Sequence, residues 1–173
     1  MSQAAPQLVI SASDRSVSQE ALVRKARISD VPAMHGIITH YAEKQLMLAK
    51  THLQLYENLR DYSTAVDPSD ETLVLGCGAL HLYWENLAEI RALAVQPGTA
   101  RRGVGSALVT RLIQEAREFA LQQVFVFTYF PEFFARFAFK QVEHRSLPLK
   151  VYNECFHCPK FNTCDEVAMV LHL

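Results

Sequence analysis

Hydrophobic residues become patterned from about position 22 onward. Residues 23–28 read as a short strand, after which Ser29 or Asp30 is placed to cap a helix whose first turn holds Pro32, where its missing N–H costs nothing. Val31, Met34, Ile37, Ile38 and Tyr41 recur there at helical spacing, and Leu53, Leu55, Tyr56 and Leu59 predict a second helical segment. Strand signals then dominate: residues 62–66, a turn at Asp67, Pro68, Ser69 and Asp70, then 72–83 and 88–95, which together predict an antiparallel meander. Pro97 and Gly98 end it. A long amphipathic helix is predicted over residues 104–121, with Val104, Leu108, Leu112, Ile113, Ala116 and Phe119 inward and Arg111, Glu115 and Glu118 outward. A compact apolar strand at 124–128, a short helix at 132–137, and strands at 141–144 and 167–173 complete the pattern. This order is that of an α/β domain around a mixed, mostly antiparallel central sheet flanked by helices.

Ahead of that pattern, residues 1–21 are rich in Ser, Ala, Gln and Asp and are expected to be a flexible leader, leaving one domain over residues 22–173. A hydrophobic content of 50% supplies ample core for a domain of this size. With 17 Lys and Arg against 18 Asp and Glu, the net charge of -1 lacks the basic excess a phosphate backbone selects, so nucleic acid is not expected as a partner. The longest apolar run, residues 72–83, is about half a membrane span and is broken by Gly76, Gly78 and His81, so no membrane partner is expected either. No basic start or sustained apolar stretch marks the first twenty residues, and the expected compartment is the cytoplasm. A homodimer is compatible with the sequence.

Candidate chemistry begins at Leu93-Ala-Val-Gln-Pro-Gly-Thr-Ala-Arg-Arg-Gly-Val-Gly-Ser106, which joins a strand to a helix through two glycines preceded by arginines. Backbone N–H groups at a helix start have no helical acceptors, glycine lets the chain curl, and the helix dipole attracts an anion. A pyrophosphate suits such a turn. On Gly103 and Gly105 alone, a tight turn with exposed arginines fits equally well.

A strand ending Leu-Ala-Val-x-Pro, the glycine turn, a long helix, a buried strand and then Phe133-Phe-Ala-Arg-Phe-Ala-Phe139 together resemble the GNAT acetyltransferase family over residues 22–173. In that family the turn reads Gln or Arg, two residues, Gly, one residue, Gly or Ala, and holds the pyrophosphate of acetyl-CoA. Here it falls on Ala100-Arg-Arg-Gly-Val-Gly105, with Ala100 in place of Gln or Arg. The resemblance implies acetyl-CoA as cosubstrate, held by backbone groups of Leu93, Ala94 and Val95 and by Arg101, Arg102, Gly103, Val104, Gly105 and Ser106. It also implies direct attack by an amine, with a β-strand N–H facing the thioester oxygen. Many members use a tyrosine after the buried strand as general acid. Phe134 stands at that position here, and Tyr129 is the nearest phenol, either as the acid or as an aromatic wall.

Within the family, Val23-Arg-Lys-Ala-Arg27, Gly76-Cys-Gly-Ala-Leu-His81 and Ala88-Glu-Ile-Arg-Ala-Leu-Ala-Val95 resemble the acetyltransferase domains of N-acetylglutamate synthases, most of all the short stand-alone bacterial forms. The acceptor implied is the α-amine of L-glutamate, as in arginine biosynthesis. Transfer to another amino acid or small amine, and a non-catalytic acetyl-CoA-binding regulatory module, are the competing readings. By strand alternation Glu89, Arg91 and Leu93 share one side, as do His81 and Tyr83. A dicarboxylic acceptor needs fixed cations, for which Arg91 and Arg27 are the candidates, and the resemblance implies His81 and Lys150 as further basic groups at substrate-site positions. A largely protonated amine also needs a base, and Glu89 is the candidate. A plain surface ion pair between Glu89 and Arg91 is the alternative.

Cys155, Cys158 and Cys164 form a cluster with His157, Asp165 and Glu166 nearby. The two-residue gap between the first pair is that of many zinc knuckles, yet no second pair follows. A structural zinc, free thiols and a disulfide all remain open. Cys77, in an apolar strand, reads as a buried thiol.

Overall fold

The computed structural model of the chain describes residues 20–99, 103–148, 156, 158 and 160–173. Seven strands, β1 (Leu22–Lys25), β2 (Tyr62–Asp67), β3 (Asp70–Trp84), β4 (Leu87–Val95), β5 (Gln123–Thr128), β6 (Lys140–Val142) and β7 (Val167–His172), form one sheet. Their order is β1-β2-β3-β4-β5-β7-β6. Only the β4–β5 pair is parallel, so the sheet is mixed and mostly antiparallel. Helices α1 (Val31–Ala42), α2 (His52–Glu57), α3 (Val104–Glu118) and α4 (Pro131–Ala135) flank it. No helix among the described residues is long and apolar enough to cross a membrane.

Local chemistry sets the connections. Asp67 Oδ1 accepts from the Ser69 N–H at 2.8 Å and Asp70 Oδ1 from the Thr72 N–H at 3.0 Å, two Asx turns that close the tight β2–β3 hairpin. At the start of α2, Thr51 Oγ1 accepts from the Gln54 N–H and Gln54 Oε1 from the Thr51 N–H, a reciprocal capping box. Asp30 does not cap α1. Its carboxylate is drawn instead to Arg24 at 2.7 Å, to the Arg27 N–H at 2.8 Å and to Thr64, because a buried aspartate must satisfy its charge.

Helix α3 packs one face of the sheet through Val104, Leu108, Leu112, Ile113 and Ala116, while α1 and Leu55 of α2 cover the other. Two predicted orientations on α3 are corrected. Phe119 is more than half exposed, because the helix ends at Glu118 and the chain reverses through Ala120 at φ +54°. Glu115 is buried, because the inward face extends to β1, where the Lys25 ammonium donates to Glu115 Oε1 at 2.7 Å. On α2 only Leu55 is buried. Leu53 and Tyr56 are exposed because the helix is six residues long and then tightens into a 3₁₀ turn, Leu59–Asp61.

Two irregularities in the middle of the sheet create the space that matters next. Between Arg91 and Ala94, β4 holds one residue more than the facing stretch of β3, and the bulge forces Ala92 to φ +50°. Strands β4 and β5 pair only at Leu87–Gln123, Ala88–Val124 and Glu89–Phe125, then part. Beyond Glu89, the edge of β4 facing β5 is open.

Candidate active site

The gap between β4 and β5 opens into a groove of about 1240 Å³. Its walls come from β4 (Glu89 to Val95), β5 and the residues after it (Val126 to Phe130), the loop after α1 (Gln45 to Lys50), the start of α3 and α4. In the antiparallel β3–β4 ladder the Gln96 N–H donates to the Leu75 carbonyl, so by alternation Val95 turns its N–H and C=O away from β3. The Tyr41 hydroxyl, from α1, donates to that Val95 carbonyl at 2.7 Å and pins the end of the strand.

At the far end of β4, Gly103 precedes α3 with φ +73°, a left-handed conformation that costs a side chain about 1 kcal/mol or more. Gly103, Gly105 and Ser106 line the groove beside Val95. A Cβ on Gly105 would already touch the Phe133 ring at 3.4 Å. Val104 itself is fully buried, so its side chain belongs to the core and only its backbone is available at the turn. Arg101, Arg102, Lys150 and Cys155 lie outside the described residues.

Glu89 and Arg91 sit side by side on the groove floor. The Tyr83 hydroxyl donates to Glu89 Oε2 at 3.1 Å. His81 is the direct cross-strand partner of Glu89 and stacks edge-on with Tyr83, its ring centroid 5.0 Å away. His81 does not line the groove. It stands behind Arg91, with Nδ1 3.0 Å from Arg91 Nη2 and 2.6 Å from Asp61 Oδ2. Arg91 Nη2 also donates to Asn58 Oδ1 at 3.4 Å, and only 9% of the Arg91 side chain is exposed. Arg27 is not brought to this place. Its guanidinium pairs with Glu71 of β3 at 2.9 Å, sharing that carboxylate with Arg24.

Tyr129, just past β5, lines the other wall. The Lys160 ammonium donates to its hydroxyl at 3.2 Å and to the Gln45 carbonyl at 3.4 Å, so it bridges the Tyr129 wall and the loop after α1. Burial pushes the Tyr129 phenol above its ordinary value, only partly offset by the Lys160 hydrogen bond. Glu166 also faces the groove, and burial together with the Asp165 charge raises its carboxyl above the usual range. Cys158 lines the groove and Cys164 is exposed, both as free thiols. Among the described residues no three His, Cys, Asp or Glu side chains gather as a metal site.

Sequence reasoning missed Tyr41, Gln54, Asn58, Asp61 and Lys160. The Thr51-x-x-Gln54 capping signature was present and marks where α2 begins, hence that Gln54 and Asn58 lie one helical turn apart. Nothing local signals Asp61 or Lys160.

A model of the Acetyltransferase (GNAT) family matches residues 33–141. An amino-acid acetyltransferase of Mycobacterium tuberculosis is 44% identical over 133 residues, covering 77% of this chain and 76% of that protein. Among solved structures, Rv2747 from Mycobacterium tuberculosis in complex with CoA superposes with a TM-score of 0.77 at 39% identity, covering 88% of this chain and 99% of that one. N-acetylglutamate synthase from Neisseria gonorrhoeae, complexed with coenzyme A and N-acetyl-glutamate, shares the fold, with a TM-score of 0.79 at 22% identity over 88% of this chain and 35% of its own. The split sheet, the glycine turn before α3 and these similarities agree: the chain belongs to the GNAT family of acetyltransferases.

Proposed function

We propose that this chain transfers the acetyl group of acetyl-CoA to the α-amine of L-glutamate by direct attack in a ternary complex, in the first step toward arginine. The observation that carries the reading is the pairing of a carboxylate and a fixed guanidinium, Glu89 and Arg91, on the strand whose continuing edge is open. The amino-acid acetyltransferase of Mycobacterium tuberculosis, at 44% identity, supports an amino-acid acceptor.

The residues present fit acetyl-CoA. The open edge, where Leu93 and Val95 turn backbone groups away from β3, offers groups such as the Val95 N–H to the pantetheine arm, and the α3 N-terminus beyond Gly103 offers N–H groups and the positive end of a 15-residue helix dipole to the pyrophosphate. When bound, the thioester supplies an electrophilic acetyl carbon and a thiolate leaving group.

The chain's own groups then divide the work. Arg91 orients an acceptor carboxylate, which aims the amine and removes much of the entropic cost of the encounter. Glu89 takes the proton from the ammonium, directly or through one water, and Tyr83 holds the carboxylate in place. A β4 backbone N–H facing the groove stabilises the negative oxygen as it forms. Tyr129, protonated at neutral pH, gives its proton to the departing sulfur.

Thiol release from acetyl-CoA, measured with L-glutamate against a panel of amino acids and a control lacking acceptor, tests this reading. Glutamate-dependent release is the expected result. Release with a different acceptor alone removes the glutamate assignment and keeps the transferase, whereas release with none removes both.

A further inference from the structure

Asp61 closes the 3₁₀ turn that follows α2 and immediately precedes β2, and neither the family motifs nor the roles assigned above use it. Its carboxylate is nonetheless the centre of the charge arrangement behind the groove floor. Oδ2 lies 2.6 Å from His81 Nδ1 and 3.8 Å from Arg91 Nη2.

The geometry around His81 Nδ1 contains a conflict that decides its protonation. That nitrogen has Asp61 Oδ2 at 2.6 Å and Arg91 Nη2 at 3.0 Å, yet a ring nitrogen either donates or accepts. If Nδ1 were bare it would accept from Arg91, and the same lone pair would face a carboxylate oxygen at 2.6 Å, two acceptors in repulsive contact. If Nδ1 carries the proton, it donates to Asp61 in a short charge-assisted bond. The guanidinium is then held by the Asp61 charge and the Asn58 carbonyl rather than by the imidazole. The second arrangement leaves two donors 3.0 Å apart, a longer contact than two acceptors at 2.6 Å, and the Asp61 charge, on Nδ1 and 3.8 Å from the guanidinium, offsets it.

We infer that Asp61 is a positioning residue for the acceptor end of the groove: it holds His81 as the Nδ1–H form and, with Asn58, seats the Arg91 guanidinium against the groove floor. The inference rests on the reading that Arg91 binds an acceptor carboxylate, and acts through Arg91 rather than on the reacting atoms. Removing the Asp61 charge frees Nδ1 to accept from Arg91 Nη2, which draws the guanidinium toward the imidazole and away from the acceptor. The α3 turn lies past the other end of β4 and takes no part in that movement, so the acetyl-CoA end keeps its geometry.

The test pairs steady-state kinetics with nitrogen NMR of the His81 ring, in the whole protein. In Asp61→Asn the acceptor KM is expected to rise about tenfold or more, with the acetyl-CoA KM and kcat within about threefold of wild type, and Asp61→Glu is expected to recover most of the loss. In wild type, Nδ1 of His81 carries a proton, and in Asp61→Asn the neutral ring shifts to the Nε2–H form. Equal changes in both KM values, or none, overturn the inference, because a merely structural role does not single out one substrate. An unprotonated Nδ1 in the wild-type ring overturns it without recourse to any variant. If wild type acetylates no amino acid, the acceptor reading falls, and the NMR comparison still decides whether Asp61 holds His81.

Discussion

The Lys160 ammonium donates to the Tyr129 hydroxyl at 3.2 Å while standing 5.0 Å from the centre of its ring. A phenol that accepts from an ammonium keeps its own O–H hydrogen turned elsewhere, and the phenolate left after proton donation is stabilised by the same cation. Burial first, and then the neighbouring Asp165 and Glu166 carboxylates, raise the Tyr129 phenol above its ordinary value against the Lys160 hydrogen bond, so it stays protonated, and able to donate, through neutral pH. Lys160 thereby joins Cys158 among the groove-lining residues from this part of the chain.

Tyr129→Phe should therefore lower kcat for thiol release about 10²-fold or more, with acetyl-CoA binding little changed, the size expected when a general acid is removed. Lys160→Ala should lower kcat by a smaller factor, about tenfold, because water replaces the ammonium as hydrogen-bond partner. Stopped-flow thiol release at saturating acetyl-CoA separates these effects from binding. A Tyr129→Phe variant with wild-type kcat makes the ring a wall and nothing more.

Glu89 accepts from Tyr83 at 3.1 Å, and its carboxylate is the only one on the β4 wall of the groove. Glu89→Gln keeps the shape and removes the base, so kcat should fall about 10²–10⁴-fold at pH 7 with KM values near wild type. The deficit should shrink as the pH rises toward that of the free amine, because the acceptor then arrives already deprotonated. A pH–rate profile of the variant checks this, and a deficit that stays constant with pH removes Glu89 from the base role.

How much of this was legible in the sequence depends on the range of the interaction. Period-two alternation placed Glu89 and Arg91 on one face but put Leu93 there too, whereas the bulge at Ala92 breaks the alternation and Leu93 packs against the α3 side. The glycine turn before α3 was legible because a left-handed residue ahead of a helix demands glycine. Arg27 was misplaced because its partner Glu71 reaches it only once the β2–β3 hairpin has folded beside β1. Glu115 was misplaced for the same kind of reason, since its partner Lys25 lies 90 positions earlier in the chain. Asp61 and Lys160 come from turns whose positions follow from packing, so no local pattern marks them.

Asp30 carries the pH dependence of the fold's first corner. Burial by itself raises the carboxyl, but hydrogen bonds from Arg24, the Arg27 N–H and Thr64 outweigh it and hold Asp30 below its ordinary value of 3.8. A depressed carboxyl stabilises the folded state fully above that ordinary value and loses the contribution as pH falls through the lowered one. Asp30→Asn should cost about 2 kcal/mol at pH 7 by urea unfolding, and the gap to wild type should narrow as the pH falls below the ordinary value of 3.8. A gap independent of pH would mean that shape, not charge, holds this corner.

Cys77 is fully buried in β3, and burial pushes its thiol up to about 12. Both thiols are raised by burial, but only Cys164 meets solvent, so Cys77 should stay unmodified by iodoacetamide at pH 8 while Cys164 is slowly alkylated. Peptide mass spectrometry after native and denaturing labelling reads this directly. Labelling of Cys77 in the native protein at the rate of Cys164 would mean that β3 opens far more readily than a central strand should.

The close fit of α3 on β3 gives the last prediction. A Cβ on Gly76 would lie 2.9 Å from the Ala94 carbonyl oxygen and 3.1 Å from Val104 Cγ1, so the added atom meets backbone on one side and the first turn of α3 on the other. Neither yields easily: Ala94 lies on the groove-forming part of β4, and Val104 is fully buried beside Gly103. Gly76→Val should therefore destabilise the fold by about 1–3 kcal/mol, the usual size of an overpacked core. It should also weaken acetyl-CoA binding, because the two elements pushed apart are the β4 edge and the α3 N-terminus that the proposed binding mode uses. Gly36→Val is the control, since a Cβ there meets nothing within 4 Å. Thermal unfolding with and without acetyl-CoA separates the two effects: a loss of ligand-induced stabilisation in Gly76→Val, absent from Gly36→Val, ties the glycine to the groove, whereas equal ligand-induced shifts confine its role to packing.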